Sequence, residues 1–489
     1  MNRRPHRILR GAIVAFLLAG VVTGVTVPAH ADSYVAIAGS GSTWSQNALD
    51  QWRRNVASNY GMTVNYSGNG SSAGRSDFIN GTVDFAISEI PFQTQSTPDN
   101  PVPENPPRGY AYLPIVAGGT SLMYNVKVAG KQVTSLQLSG ETIARIFAGQ
   151  ITKWNDPAIT GANPGLDLPE KQITPVVRSD GSGSTAQFTK WMSTQYPSVS
   201  SSILPNGMTS YFPANRLPNS KAQSGSLGVS GYVAQGYGEG SITYVEYSYA
   251  LKSGFPVVSV QNPAGNYVQP TASNVAIALT RARINEDSSS PDYLTQILDD
   301  VYNNGDPSSY PISSYSYMIV PTAPGGIFTA QKGATLGAFL KYVLCDGQDQ
   351  AGPLGYSPLP MNLVTAAFAQ IKRVPGSNVG DFDANTCTNT GAAPDGAAGG
   401  NGAGGAGGGE AAAATATAAA GVAAGTGDAV YDANGNLVSG SGAGAAATSS
   451  RFALASHAWG PAQVGMAIAG IMLLAVVVLP PLLLRRAKR

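Results

Sequence analysis

The sequence predicts an α/β protein built from two lobes, with helices covering the faces of β-sheets. Strand-like and helix-like runs alternate from about residue 33 to about residue 375, and such alternation is typical of α/β architecture. This stretch of about 340 residues is longer than the chain that one hydrophobic core usually supports. The sequence therefore predicts two lobes.

The individual elements follow from local patterns of apolar residues. Strand candidates include MTVNYS, VDFAIS, AYLPIVA, SLMYNV, ITPVVR, SITYVEY and SYMIV. Three helices are recognised by apolar residues spaced three or four positions apart. These residues are Leu49, Trp52 and Val56 in the first helix, Ile143, Ile146 and Phe147 in the second, and Phe188, Trp191, Met192 and Tyr196 in the third.

The two ends of the chain predict export and anchoring. Residues 1–31 combine a basic start, an apolar stretch and a small-residue cleavage site at Ala29-His30-Ala31, which is the pattern of a secretory signal peptide. Residues 464–484 are uncharged and about long enough to cross a bilayer as a helix. Basic residues follow at once, which favours a cytoplasmic tail. We therefore expect an extracellular protein whose residues 461–489 form a C-terminal transmembrane anchor.

Residues 391–460, between the folded region and this anchor, are rich in glycine and alanine and are predicted to form a disordered, flexible linker. Within this linker, Asn434-Gly435 is a turn signal that favours a β-hairpin in the flanking residues.

Charge, histidine and cysteine usage limit the function of the folded region. The whole chain has a formal net charge of +1, and its signal and tail carry eight basic residues, so the remainder is acidic at −7. Such a surface argues against nucleic acid as a partner. The three histidines lie in the signal or just before the predicted anchor, which excludes histidine-based catalysis and histidine-ligated zinc. No catalytic residue, metal or cofactor is predicted. Cys345 and Cys387 lie in an exported region, where disulfides persist, and are expected to pair.

Three Gly/Ser loops follow predicted strands and precede predicted helices. The pentapeptide GSGST occurs at Gly39–Thr43 and again at Gly181–Thr185, and SGNGSSAGR spans Ser67–Arg75. Glycine lets backbone N–H groups turn toward an anion, and a helix N-terminus adds partial positive charge. The alternative is an ordinary helix N-cap after a tight turn. No loop has the Gly-Lys-Ser/Thr sequence of a P-loop, so the hydroxyl groups are interpreted as donors to an anion.

Charged residues near these loops refine the prediction. Arg178 precedes the second GSGST and is suited to contact an oxyanion through two hydrogen bonds, although a surface ion pair with Asp180 is the simpler alternative. Asp84 and Glu89 are candidate acceptors. A carboxylate accepts a hydrogen bond from phosphate, which still carries a proton near neutral pH, and repels sulfate, which does not.

Several separated motifs resemble a known family. The runs VNYSGNGSSAG…NGTVDFAISEIP, IFAGQITKWNDPAIT…NPGLDLPEKQITPVVRSDGSGST and GSITYVEYSYA closely resemble the periplasmic phosphate-binding proteins of phosphate ABC importers. This resemblance implies a type II periplasmic-binding-protein fold in which two α/β lobes meet at a hinge and enclose the ligand. It places residues 32–120 and 315–390 in one lobe and residues 121–314 in the other.

The resemblance also implies a ligand, a partner and a set of contacts. The ligand is inorganic phosphate, the partner is an ABC permease, and the protein is not an enzyme. The implied phosphate contacts are Thr43, Trp44, Ser71, Glu89, Arg178, Ser182, Gly183 and Ser184, with Asp180 tempering the charge of Arg178.

One position departs from the family, which has aspartate where this chain has Glu89. A longer side chain there leaves open the capture of another oxyanion or an organophosphate. The C-terminal anchor leaves open a surface adhesion or sensing role without transport. Arg75, beside the loop at Ser67–Arg75, is expected at an exposed helix position.

Overall fold

A mixed β-sheet of eight strands forms the centre of the first of two compact units, residues 1–405. The computed structural model describes residues 34–98, 100–290, 292–387, 430–431 and 437–439. The strands of the sheet are Ile37–Gly41 (β1), Val64–Ser67 (β2), Phe85–Ser88 (β3), Tyr110–Asn125 (β4), Thr174–Arg178 (β8), Lys221–Gln223 (β9), Ser241–Glu246 (β10) and Ser313–Pro321 (β15). The short strands outside it are Lys127–Val128 (β5), Lys131–Gln132 (β6), Gln137–Leu138 (β7), Ser259–Gln261 (β11), Tyr267–Val268 (β12), Arg283–Ile284 (β13), Gln296–Ile297 (β14), Val430–Tyr431 (β16) and Leu437–Ser439 (β17).

Most of the helices are preceded by a Ser, Thr, Asp or Gly at the N-cap position, the residue types favoured there. The helices are Gln46–Tyr60 (α1), Ser71–Ile79 (α2), Gly140–Phe147 (α3), Pro157–Thr160 (α4), Gly183–Gln195 (α5), Pro197–Ser200 (α6), Gly225–Ala234 (α7), Tyr247–Ser253 (α8), Ala272–Leu279 (α9), Asp299–Tyr302 (α10), Ala330–Leu344 (α11) and Met361–Ile371 (α12). The predicted apolar faces are confirmed for Leu49, Trp52 and Val56 on α1 and for Ile143, Ile146 and Phe147 on α3. On α5, Phe188, Trp191 and Met192 are buried as predicted, but Tyr196 follows the last helical residue and is half-buried.

The order of the strands divides the sheet into two halves of similar construction. The order is β2-β1-β3-β15-β4-β10-β8-β9. In the first half β1 runs parallel to β2 and β3, and in the second half β8 runs parallel to β9 and β10. Between the halves lie β15 and β4, which pair antiparallel with each other and with the strands beside them. Two long antiparallel strands therefore connect the halves.

The strand β4 differs from the prediction in one respect. AYLPIVA and SLMYNV were expected as separate strands, but they form one continuous strand through Gly118 and Gly119. These glycines serve close packing instead of a turn. A Cβ on Gly118 would lie 2.7 Å from the ring of Trp44, and one on Gly119 would lie 2.5 Å from Pro270. The expected lobe limits at 120/121 and 314/315 lie inside β4 and β15.

Two further predictions near the C-terminal end are confirmed. Cys345, at the end of α11, forms a disulfide with Cys387, 42 residues later. The strands β16 and β17, in a second unit comprising residues 406–489, pair antiparallel as expected of a hairpin, while Asn434 and Gly435 lie outside the described residues.

The predictions for the two ends of the chain concern residues that the structure does not describe. The signal peptide, the transmembrane anchor over 461–489 and the linker apart from β16 and β17 lie outside the described residues. Within the part of the chain that is described, no helix has both the length and the apolar character needed to span a membrane.

Candidate functional site

The candidate site lies where the parallel strands of both halves end. In the first half, β1 ends at Gly41 and β3 ends at Ser88, directly before Glu89. In the second half, β8 ends at Arg178. Ligands of open α/β sheets bind outside the carboxyl ends of the strands, so the topology alone directs attention to these loops.

The two halves touch each other across this site. The backbone N–H of Ser72 donates to the carbonyl of Gly181 at 3.1 Å, and the N–H of Gly183 donates to Ser71 Oγ at 3.1 Å. Gln187 Nε2 donates to the carbonyl of Glu89 at 2.7 Å. The loop before α2 and the loop before α5, which are more than 100 positions apart in the chain, therefore form one site.

Glu89 lies between the two halves. Its carboxylate is completely buried and accepts hydrogen bonds from Ser71 Oγ at 2.8 Å and from Ser316 Oγ at 2.6 Å. A Cβ on Gly183 would lie 2.0 Å from Glu89 Oε2, so the carboxylate lies against the N-terminus of α5. A carboxylate has about four acceptor sites and these two hydroxyl groups use two of them, so Glu89 can accept a further hydrogen bond from a protonated oxyanion.

Arg178, which is buried, and Asp180, which is partly buried, form an ion pair beside the same loop. The side chain of Arg178 is 2% exposed, and its Nε donates to Asp180 Oδ1 at 2.7 Å while its Nη2 donates to Oδ2. The backbone N–H of Gly225 donates to the same carboxylate at 2.9 Å. Burial acts to raise the pKa of Asp180, but the hydrogen bonds and charge of Arg178 outweigh burial and lower it. Asp180 is therefore ionised at neutral pH and offsets part of the charge of Arg178.

The N-terminus of α5 supplies neutral donors. Ser182 caps the helix by accepting from the N–H of Thr185 at 3.1 Å. Ser184 Oγ is buried and makes no hydrogen bond within the described residues. A helix N-terminus carries partial positive charge and unpaired N–H groups, so an anion placed here would meet oriented donors.

Thr43 and Trp44 follow β1 and are tied to both halves. Thr43 Oγ1 lies 2.9 Å from Ser226 Oγ, and the carbonyl of Thr43 accepts from Tyr249 OH at 2.5 Å. Trp44 is completely buried, and its indole N–H donates to Thr120 Oγ1 on β4 at 3.4 Å. The loop is thus fixed against the strand that connects the halves.

The environment of Arg75 corrects an expectation from the sequence. Arg75 was expected at an exposed position, but it is 1% exposed and makes two hydrogen bonds to Glu104, at 2.7 and 3.1 Å. It also donates to Ser88 Oγ at 3.0 Å and to Ser72 Oγ at 3.3 Å. The expectation was wrong because Glu104, which is 29 positions away in the chain, binds Arg75, and local sequence does not indicate such a contact.

The other candidate acceptor, Asp84, has structural partners. It is buried, accepts from the N–H of Ala38 at 2.8 Å and forms an ion pair with Lys332 at 2.9 Å. Within the described residues, no group of three or more His, Cys, Asp or Glu side chains could hold a metal ion.

A fourth Gly/Ser loop belongs to the site and was missed in the sequence. Gly225 and Ser226 begin α7 directly after β9 and contact Asp180 and Thr43. The signal was present as AQSGSLGVSGY, again a strand, a Gly/Ser turn and a helix. It was overlooked because β9 has only three residues, too few to show a periodicity.

Comparisons with known proteins agree with this geometry. Residues 26–347 match the family model described as a PBP superfamily domain. The phosphate-binding protein PstS of Xylella fastidiosa is 32% identical over 330 residues, which cover 68% of this chain and 83% of that protein. The chain belongs to the phosphate-binding protein family of the PBP superfamily.

Other members of this family are similar over comparable lengths. The phosphate-binding protein PstS 2 of Mycobacterium tuberculosis is 30% identical over 353 residues, covering 72% of this chain and 90% of that protein. The solved structure of a phosphate-binding protein from Stenotrophomonas maltophilia has a TM-score of 0.52 at 19% identity, covering 73% of this chain and 98% of that one. This likeness confirms the predicted α/β periplasmic-binding-protein fold.

Proposed function

We propose that this protein is an extracytoplasmic solute-binding protein that captures inorganic phosphate between its two halves and delivers it to an ABC permease. The observation that carries the proposal is the meeting of neutral donors, one guanidinium and one buried carboxylate, contributed by both halves at the ends of the parallel strands. The names of the family members, which are phosphate-binding proteins, support the same ligand.

The proposed contacts combine three kinds of group. Hydroxyl and backbone donors come from the loops, Arg178 supplies a positive charge, and Glu89 supplies an acceptor. The residues are Thr43, Trp44, Ser71, Glu89, Arg178, Ser182, Gly183 and Ser184, with Asp180 supporting Arg178. Charge-assisted hydrogen bonds from Arg178 and the partial positive charge of the α5 N-terminus favour an oxyanion. They do so although the chain without its signal and basic tail carries a net negative charge.

Glu89 gives this site a basis for selectivity. Its buried carboxylate would accept a hydrogen bond from the P–OH group of phosphate. Sulfate carries no proton at neutral pH, so one of its oxygens would face a carboxylate oxygen of Glu89 with no proton between them. A buried contact between two negative charges is costly.

The connection between the halves is suited to closure around the ligand. Each half presents part of the site, and β4 and β15 join the halves at its base. A ligand that contacts both halves stabilises the arrangement in which they are close together. The permease then receives phosphate from this closed form.

Location is part of the proposal and is supported by the sequence. The signal pattern in residues 1–31 indicates export, and the apolar run at 464–484 followed by basic residues indicates an anchor. We place the folded region on the extracellular side of the membrane, attached through residues 391–460 and the C-terminal helix.

Calorimetric titration of the whole chain at pH 7.5 tests the ligand. Phosphate should bind saturably, and sulfate should give no heat of binding. Arg178→Ala should abolish phosphate binding, whereas Arg281→Ala, at an exposed position, serves as the matched control and should bind as the wild type does. Equal affinity for phosphate and sulfate would overturn the assignment.

A further inference from the structure

The loop at the start of α7 connects two groups that we place in the phosphate site. Ser226 is 1% exposed and follows Gly225, whose positive φ of 70° favours glycine. Gly225 is tied to the site through its N–H, which donates to Asp180 Oδ1 at 2.9 Å. The first turn of α7 is therefore held in place by the carboxylate that also binds Arg178.

Ser226 touches Thr43 with two different atoms. Its backbone N–H donates to Thr43 Oγ1 at 3.0 Å, and its Oγ lies 2.9 Å from the same oxygen. A threonine hydroxyl has one proton and two lone pairs. When the Ser226 hydroxyl accepts from Arg178 and donates its own proton to Thr43, the N–H and the hydroxyl of Ser226 occupy both lone pairs of Thr43 Oγ1, and the proton of Thr43 is free to donate. This geometry prepares Thr43 as a donor to an oxyanion.

The hydroxyl of Ser226 also reaches the guanidinium. Arg178 Nη1 donates to Ser226 Oγ at 3.5 Å, while Nε and Nη2 of Arg178 bind Asp180. Ser226 Oγ therefore lies within hydrogen-bonding distance of Thr43, a proposed phosphate contact from the first half, and of Arg178, a proposed phosphate contact from the second half.

We infer that Ser226 is a positioning residue of the phosphate site, whose hydroxyl holds Thr43 Oγ1 and Arg178 Nη1 at a fixed separation across the two halves. The inference rests on the proposed function and adds a residue to it that the family resemblance did not supply. Two donors that are oriented before binding lose less conformational freedom when the ligand arrives. Removing the hydroxyl of Ser226 should therefore weaken phosphate binding although Thr43 and Arg178 are both still present.

The experiment measures phosphate affinity of the whole chain by calorimetry, together with the thermal unfolding temperature. Ser226→Ala should weaken phosphate binding by about tenfold, the order expected for one buried hydrogen-bonding group. Ser226→Thr keeps a hydroxyl and should recover most of the affinity. Ser230→Ala is the matched control, because Ser230 is equally buried one turn later on α7 and its Oγ donates only to backbone carbonyls. It should bind phosphate as the wild type does.

A double-mutant cycle distinguishes positioning from general stabilisation. If Ser226 acts through Thr43, the loss caused by Thr43→Ala should be smaller when Ser226→Ala is already present. Additive losses, or a Ser226→Ala chain that binds phosphate like the wild type, would overturn this inference and leave the proposed function intact. A wild-type chain that fails to bind phosphate would overturn both.

Discussion

At the scale of single residues, Glu246 is a buried acid outside the proposed set of phosphate contacts. It ends β10, is completely buried, and accepts from the N–H of Ser248 at 2.8 Å through Oε2. Its Oε1 has no hydrogen-bond partner within the described residues. Burial raises the pKa of Glu246 well above its ordinary value, since the charged form would lose hydration that the protein does not replace. Burial therefore favours the protonated, neutral form of Glu246 in the folded protein.

This burial predicts a pH-dependent stability. The unfolded chain releases the proton of Glu246 near pH 4.5, and the folded chain retains it to higher pH. The contribution of Glu246 to stability is thus complete below about pH 4.5 and is lost as pH rises through the folded pKa. Glu246→Gln stays neutral at every pH, so its unfolding temperature should exceed that of the wild type by about 2 °C or more at pH 8, and the difference should shrink toward pH 4.5.

Thermal unfolding followed by circular dichroism between pH 4.5 and pH 8 measures this difference. Glu286→Gln, at an exposed position, provides the control and should follow the wild type across the range. A difference between Glu246→Gln and the wild type that stays constant with pH would show that Glu246 does not carry a buried proton.

At the scale of elements, the start of α5 depends on close approach. Gly183 begins this helix, and a Cβ there would lie 2.0 Å from Glu89 Oε2 and 2.7 Å from Ser71 Oγ. Glycine is therefore required for the helix N-terminus to approach the carboxylate and the hydroxyl of the opposite half. A side chain at this position would push both groups away from the donors of α5.

We accordingly expect Gly183→Ala to weaken phosphate binding by more than about tenfold, since a displacement of this size removes contacts from both halves. Gly231→Ala on α7 is the matched control, because a Cβ there would meet no atom within 4 Å. The control should keep its affinity and gain slight stability from the higher helix propensity of alanine. Wild-type affinity in Gly183→Ala would contradict the proposed approach of α5 to Glu89.

Six of the eight strands of the central sheet and three of the helices were predictable because their signals are local. Apolar spacing correctly indicated α1, α3 and α5, and the strand candidates correspond to strands of the sheet. The continuity of β4 was not predictable, because Gly118 and Gly119 are turn-forming residues by composition and only their neighbours Trp44 and Pro270 explain them. The three-residue strand β9 was also too short to be recognised, and with it the loop that carries Ser226.

At the scale of the whole molecule, the proposed anchor determines where phosphate is captured. A chain that ends after residue 460 lacks the apolar run and the basic tail. We expect it to be released into the medium, while the whole chain remains in the membrane fraction after an alkaline carbonate wash, because about 20 apolar residues resist extraction as a spanning helix.

The control for this experiment replaces only the basic residues after the apolar run with neutral ones. That variant should stay in the membrane fraction, since hydrophobic insertion and not charge retains the chain. Extraction of the whole chain by carbonate, to the same extent as the truncated chain, would exclude a transmembrane anchor.

The sequence by itself determined the α/β class, the disulfide between Cys345 and Cys387, and the Gly/Ser loops that follow strands. It determined them because strand and helix periodicity, cysteine count and turn residues are properties of short stretches. The likeness to the phosphate-binding family could also be recognised in the sequence, since contiguous motifs carry it.

Only the tertiary structure decided which charged and polar groups meet. Arg75 and Arg178 are both next to Gly/Ser loops in the sequence. In the structure Arg75 is bound by Glu104, whereas Arg178 lies among the proposed phosphate contacts and binds Asp180 and Ser226. Asp84 and Glu89 are both acidic residues beside β3, yet Asp84 forms an ion pair with Lys332, whereas Glu89 accepts from Ser71 within the proposed site. The physical reason is that burial and hydrogen bonding depend on residues far apart in the chain, which the folding of β4 and β15 brings together.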